Sequence, residues 1–301
     1  MPLRQTIYKL IYNSNLNYIL RSINYSFKSV LPKRLRIPPS GIMTIFTETG
    51  AFKMATNQTS YLTQLLFWNG YKSFEYSELF ERLSKDVDTF LDIGANIGYY
   101  SLLGISSNPN LTAYAFEPAL GPKYFLKKNI AINNVHSQLK HVDVALSNQN
   151  GHIEFYEVAN KKYTYLDYNL AGEGNAGTKT ESRHFVKNEV ASQTLDHFVS
   201  KQQLRSIDLI KMDTEGTEVD IIKSGIDAIK TYQPIIICET LFNTIEDELE
   251  AIFQSLDYHM YNHTEDGLVK VESIKRVTDD GVRNCFFVSE SKLELISKFV
   301  V

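Results

Sequence analysis

From Asp88 onward, short apolar runs alternate with amphipathic stretches, and no other feature narrows the fold as far. Runs at 89–93, 111–116, 138–144, 207–212 and 234–238 have the length of buried strands. Helical spacing follows Gly98 and recurs over 122–133 and 218–230. Strands that alternate with helices pair in parallel, because each helix carries the chain back across a face of the sheet. The expected architecture is therefore α/β: a Rossmann-like, mostly parallel sheet with helices on both faces. Such sheets bind ligands in the crevice outside the carboxyl ends of their strands.

The residues before Asp88 read differently. Apolar positions between Leu10 and Val30 recur at helical spacing, and Pro32, Pro38, Pro39, Ser40 and Gly41 then mark a boundary. Residues 42–46 and 51–54 form an expected hairpin turned at Gly50, and helices are expected over 61–68 and 74–83. The division is thus an arm (1–40), a hairpin with helices (41–87) and the α/β domain (88–301). No acid precedes Glu48, whereas Arg4, Lys9, Arg21, Lys28, Lys33, Arg34 and Arg36 all do. A basic amphipathic arm suits either a peripheral contact with anionic lipid or packing on the main domain or a second subunit. A long connection, 159–180, interrupts the alternation; it is read as part of a cap or as an exposed loop. Its Tyr163, Tyr165 and Tyr168 are suited to stacking on sugar faces or to anchoring the loop by packing.

Charge and cysteine content limit the partners. A net charge of −4 argues against nucleic-acid binding through bulk charge, and no nucleic-acid partner is expected. Two cysteines, Cys238 and Cys285, encode no disulfide framework and fit a reducing compartment. No stretch is apolar enough to cross a bilayer, so a soluble cytoplasmic protein is expected.

Two motifs carry chemistry. The first is Asp92-Ile93-Gly94-Ala95-Asn96-Ile97-Gly98, placed after a strand and opening a helix. Glycines let the chain turn tightly and a ligand approach the backbone, and the helix start offers unpaired N–H groups. Asn96 stands where the dinucleotide fingerprint has its second glycine. Glu117, at the end of the next strand, is suited to accept from the two hydroxyls of a ribose. Together these features point to an adenosine-containing ligand; the bland alternative is an ordinary turn with a surface glutamate.

The second motif, 207–218, is an apolar strand that ends in Asp213, Glu215 and Glu218. Carboxylates this close repel unless they are paired, hydrated or face a cation, and Lys211 is one available partner. Their alternative role is stabilising the N-terminus of a following helix through its dipole.

These segments resemble the FkbM-type methyltransferases, a branch of the class I S-adenosylmethionine-dependent enzymes. The resemblance lies in DIGANIGYYSLL (92–103), AFEP (115–118), VALSN with Gly151, TLD (194–196), IDLIKMDTEGTEVDIIKSG (207–225) and IIICE (235–239). It implies a seven-stranded sheet closed by an antiparallel pair at 259–261 and 284–288, with the arm and hairpin as an N-terminal extension. It also implies S-adenosyl-L-methionine held by Asp92, Gly94, Ala95, Asn96 and Gly98, with Glu117 and Pro118 at the ribose. Asp143 and Val144 would flank adenine, and Asp213 would lie beside the transferred methyl.

The expected reaction is O-methylation of a sugar, glycan or related secondary metabolite, the acceptor class coming from the resemblance. A hydroxyl acceptor must lose its proton, and Asp213, Glu215 and Glu239 are the catalytic candidates, with His263 in a polar loop as a further base. Asp213 with Glu239 also suits Mg²⁺, so a divalent metal stays open. Cys238 is expected in the core. The competing readings are a nicotinamide-dependent oxidoreductase, which uses similar turns, and a cofactor-binding module without turnover.

Overall fold

The computed structural model describes residues 2–159, 162–170, 185–214 and 216–301. The arm forms α1 (Pro2–Ile11) and α2 (Ser14–Ser26); the hairpin is β1 (Gly41–Phe46) and β2 (Ala51–Thr56), followed by α3 (Tyr61–Asn69) and α4 (Ser77–Leu83). The alternation then gives β3 (Thr89–Ile93), α5 (Tyr99–Ser107), β4 (Thr112–Phe116), α6 (Leu120–Asn133) and β5 (Leu139–Val142). Three strands follow, β6 (Ala145–Leu146), β7 (Gly151–Val158) and β8 (Phe185–Gln193), and then α7 (Leu195–Gln202) and β9 (Leu209–Met212). The C-terminal part comprises α8 (Glu218–Lys223), α9 (Ile226–Tyr232), β10 (Ile235–Glu239) and α10 (Glu246–Ser255). It ends with β11 (Tyr258–Thr264), β12 (Gly267–Val271), β13 (Asn284–Ser289) and α11 (Leu293–Ile296).

The main sheet has the order β12-β11-β13-β10-β9-β3-β4-β5. Strands β10, β9, β3, β4 and β5 run parallel, and β13 enters antiparallel between β10 and β11. The Rossmann-like expectation holds, with an eighth strand, β12, added at the edge. Side chains alternate between two cores, as the two-residue strand period requires. Phe90, Leu209 and Ile237 face the core shared with α4, α5, α6 and the hairpin. Leu91, Ile210, Ile236 and Cys238 face the core under α7 to α10. Both cysteines are buried and free, and burial pushes the Cys238 thiol well up, in keeping with a core role.

Three elements differ from the sequence reading, each for a local reason. The arm is two helices, because the Asn13 side chain accepts from Asn15 N and Leu16 N and caps a new start. The third strand stops at Val142, and Ala145–Leu146 pairs instead with β8 in a separate three-stranded sheet, β6-β8-β7. The helix expected over 218–230 breaks into α8 and α9. Asp196, from the Thr-Leu-Asp motif, accepts from Asp227 N and Ala228 N at 3.3 and 2.8 Å and so caps α9.

The hairpin is fastened to the α/β unit by a buried amide. Asn129 of α6 accepts from Ala55 N at 2.6 Å and donates to Ile97 O at 2.9 Å, tying β2 to the turn before α5. Met43, Ile45, Phe52 and Met54 complete the same core. Asn129→Ala strands the buried Ala55 N–H and Ile97 carbonyl. It should cost about 1–3 kcal/mol for each group left unpaired, read as a lowered urea midpoint with an unchanged slope.

Candidate active site

Strand register places the charges. Asp92 of β3 and Lys211 of β9 are direct neighbours in the parallel pair, and Ile237 lies beside Lys211 on the other side. Strand alternation sets Asp92, Lys211 and Glu239 on the face toward α4 and α5. Lys211 is 4% exposed and Asp92 1%. The Lys211 ammonium donates to Gly94 O at 3.0 Å, with Asp213 Oδ2 at 3.5 Å and Asp92 Oδ1 at 3.9 Å. It also lies 5.9 Å from the centre of the Tyr100 ring. Burial works against its charge, but the carboxylates of Asp213, Asp92, Glu75 and Glu239 outweigh burial and hold its pKa above the ordinary lysine value. Burial pushes the Asp92 carboxyl up. Its Oδ2 accepts from Ser101 N and Ser101 Oγ at 3.2 and 2.6 Å, whereas its Oδ1 is buried without a hydrogen bond.

The glycine turn sits above this pair. Gly94 has φ +72°, and a Cβ there would lie 1.9 Å from the Asp213 carbonyl oxygen. The glycine is therefore required by the close approach of the β9 loop, which the ligand-based reading of the turn overlooked. Gly98 is also left-handed, at φ +84°, and a Cβ would meet Leu126. Asn96 takes φ +51° between them, a conformation asparagine tolerates better than most residues, so a fingerprint glycine is not needed. Glu117 secures the turn: it is buried, and its two oxygens accept from Asn96 N and Ala119 N at 2.8 Å each.

A recess opens beside this turn, at the carboxyl ends of β3, β4 and β9; with the open solvent at its mouth it spans about 580 Å³. Gly94, Glu117, Pro118, Val144 and Asp213 of the expected set line it. Asp92, Ala95, Asn96 and Gly98 build its floor and turn without lining it. Its apolar wall, Phe116, Leu146, Ile153 and Phe155, was not foreseen. The alternation along 151–158 marks Ile153 and Phe155 as one face, but only the packing of the small sheet turns that face inward.

Asp143 is not brought to the recess. It is an ion-pair partner of Lys123 at 2.8 Å and Lys127 at 3.6 Å, because β5 ends before it and turns its side chain toward α6. Glu218 is buried, and its carboxylate accepts from Thr214 N, Thr214 Oγ1 and Gly216 N, so it shapes the loop after Asp213. Glu215 lies outside the described residues. His263 belongs to β11 instead of a loop; burial lowers its pKa, and its ring packs 5.9 Å from that of Tyr76. The loop tyrosines are packing anchors: Tyr163 meets Tyr8 and Tyr12 of the arm, and Tyr168 stacks on Tyr124. Tyr165 accepts from Gln58 at 2.9 Å.

A second, wider cleft of about 2000 Å³ lies on the α4 side, lined by Glu75, Tyr76, Arg82, His263, Arg283 and others. Glu75 links it to the charge cluster by accepting from Tyr100 OH at 2.6 Å. Glu75 itself has φ +43°, an uncommon conformation for a long side chain and one often found at functional positions. Among the described residues no group of three or more His, Cys, Asp or Glu side chains is arranged to hold a metal ion.

A family profile for the methyltransferase FkbM domain matches residues 92–261, which contain the turn, Glu117, Lys211 and Asp213. The chain belongs to the FkbM methyltransferase family. It is 27% identical over 218 residues to "Methyltransferase sdnD" of Sordaria araneosa, covering 58% of this chain and 80% of that protein. It is 27% identical over 155 residues to "2-O-methyltransferase NoeI" of Sinorhizobium fredii, covering 50% of this chain and 62% of that protein. The crystal structure of an FkbM methyltransferase from Methylobacillus flagellatus matches with TM-score 0.44 and 15% identity, covering 67% of this chain and 44% of that one. The matched region thus spans less than two thirds of NoeI and less than half of the M. flagellatus chain. Membership in the FkbM family sets aside the nicotinamide-dependent alternative.

The Asp92–Lys211 pair predicts an asymmetric mutational response. Lys211→Met leaves a buried carboxylate without its cation and should destabilise the fold by on the order of 3 kcal/mol. Adding Asp92→Asn should recover part of that loss in urea denaturation, as expected for coupled neighbours.

Proposed function

We propose that this chain transfers the methyl group of S-adenosyl-L-methionine to a hydroxyl of a sugar, glycan or related secondary metabolite. The observation that carries the reading is the charge cluster centred on Lys211, which separates two recesses of different character. On one side is an apolar slot with a buried carboxylate, Glu117; on the other is an open polar cleft that suits a polyhydroxyl acceptor. The name of NoeI, a 2-O-methyltransferase, supports oxygen as the acceptor atom.

The residues present fit the cofactor. Phe116, Val144, Leu146, Ile153 and Phe155 offer the flat apolar contact an adenine needs, and Glu117 would accept from ribose hydroxyls. Bound there, the cofactor supplies an electrophilic methyl group on sulfur.

Within this reading, catalysis by the chain is mainly positioning. Asp213 borders the slot, is held by its ion pair to Lys211, and keeps its side chain 42% exposed, so it can accept the proton of an incoming hydroxyl. Glu239, at the end of β10, acts on the same lysine and is the second candidate for this task. The apolar wall keeps water from the reacting centre. Glu75, Tyr76 and Arg283 would orient the acceptor from the cleft side.

Titration with S-adenosylhomocysteine and with NADH tests the cofactor, and mass spectrometry of sugars incubated with S-adenosylmethionine tests the transfer. Binding of S-adenosylhomocysteine with a mass gain of one methyl on a sugar is expected; binding without transfer to any of a broad panel would indicate a module without turnover. Glu117→Ala should weaken S-adenosylhomocysteine binding by about 1–3 kcal/mol in calorimetry, and an unchanged affinity would remove Glu117 from the ligand site. Asp213→Asn should lower kcat by about 10²-fold or more with the melting temperature retained. Normal turnover in that variant would assign proton removal to another group.

A further inference from the structure

Helix α2 is built inside out. Its buried residues are polar: Asn17 is 0% exposed and Arg21 2%, whereas Ile19, Ile23 and Phe27 at its end are 54%, 56% and 57% exposed. The polar pair fastens the helix to the body. Asn17 Nδ2 donates to Pro38 O at 3.1 Å, and Asn17 Oδ1 accepts from Ser40 N at 2.7 Å. Arg21 donates to Ser40 O at 2.9 Å and to Ile42 O at 2.7 Å. A helix docked only for its own stability buries its apolar face; this one is held by side-chain hydrogen bonds and by Tyr25 against Phe67 and Trp68, and leaves an apolar stripe, spaced every four residues, in solvent. Helix α1 repeats the pattern, with Leu3, Ile7 and Leu10 exposed at positions i, i+4 and i+7. Apolar stripes exposed on two successive helices are the kind of feature that marks an interaction site, unlike scattered single side chains.

Charge identifies what the surface meets. The first 47 residues carry seven basic side chains and no acid, within a chain of net charge −4, so the remainder carries −11. Arg4 and Lys9 of α1, and Lys33 and Arg34 in the segment after α2, are exposed. No described helix is long and apolar enough to cross a membrane. We infer that the arm, α1 and α2 with the basic segment after them, docks in the interface of an anionic phospholipid bilayer, its aliphatic stripes among the acyl chains and its cations at the phosphates. Apolar burial and attraction to anionic headgroups act together in this mode of binding. Pairing of two arms from separate copies would instead bring two basic surfaces together with no acid in either arm. The arm is already ordered, with Tyr163 packed on Tyr8 and Tyr12 and Gln5 Nε2 donating to Lys162 O at 3.0 Å, so docking requires little further ordering.

Flotation of the full chain with vesicles tests this directly and does not depend on the methyl-transfer reading. The chain should partition at least about tenfold more onto vesicles of equal parts phosphatidylcholine and phosphatidylglycerol than onto phosphatidylcholine alone. Added salt should weaken that preference. The variant Ile19→Ser/Ile23→Ser/Phe27→Ser alters only exposed side chains; it should keep the wild-type melting temperature and lose most of the vesicle binding. Lys33→Glu/Arg34→Glu should lower binding to the anionic vesicles alone. Absence of binding to anionic vesicles, equal binding to both compositions, or undiminished binding of the serine variant would overturn the inference. So would a dimer in analytical ultracentrifugation that the serine variant abolishes while vesicle binding is absent, since a second copy would then cover the stripes.

Discussion

One buried ammonium organises the centre of this protein. Lys211 projects from the middle of a parallel sheet, where an unpaired cation would not persist, and the structure surrounds it with acceptors on neighbouring strands. Asp92 stands next to it in register, Asp213 follows two residues later just past the end of its strand, and the Gly94 carbonyl accepts a hydrogen bond from its ammonium. The contacts with Asp92 and Gly94 link segments distant in sequence. The lysine thereby fixes how the glycine turn sits against the loop after β9, and the two loops together frame the slot.

That arrangement changes the meaning of the glycine motif. A turn rich in glycine after a strand suggests room for a ligand, but Gly94 is required first by the Asp213 carbonyl, which leaves no space for a side chain. Glu117 acts similarly. Its carboxylate faces the recess and also holds the backbone of Asn96 and Ala119, so one group supports the turn and presents charge to whatever occupies the slot. The same carboxylate thus braces the turn and borders the recess.

The N-terminal region belongs to the same structure in two distinct ways. The hairpin joins the core through Phe52, Met54 and the Asn129 amide. The arm adheres through Asn17 and Arg21, through Tyr25 packed on Phe67 and Trp68, and through tyrosines from the connection after β7. Hydrogen bonds from Asn17 and Arg21 to backbone groups help specify its position while Ile19, Ile23 and Phe27 stay in solvent.

Much of the architecture was legible in the amino-acid order. The repeated run of short apolar stretches and amphipathic helices determined a parallel α/β sheet, and the parity of each strand already assigned Asp92 to one face with Phe90 and Lys211 to one face with Leu209. The positions of the glycine turn, Glu117 and the acid-rich loop at strand ends followed from the same pattern. Which strands would be neighbours was beyond it, and with that the pairing of Asp92 with Lys211. The end of β5 at Val142, which sends Asp143 to Lys123, and the small sheet that turns Ile153 and Phe155 over the slot were likewise settled only in three dimensions. The reason is physical: the period of a strand is a local property set by backbone geometry, whereas register between strands and the packing of one sheet on another arise from contacts between residues far apart in the chain.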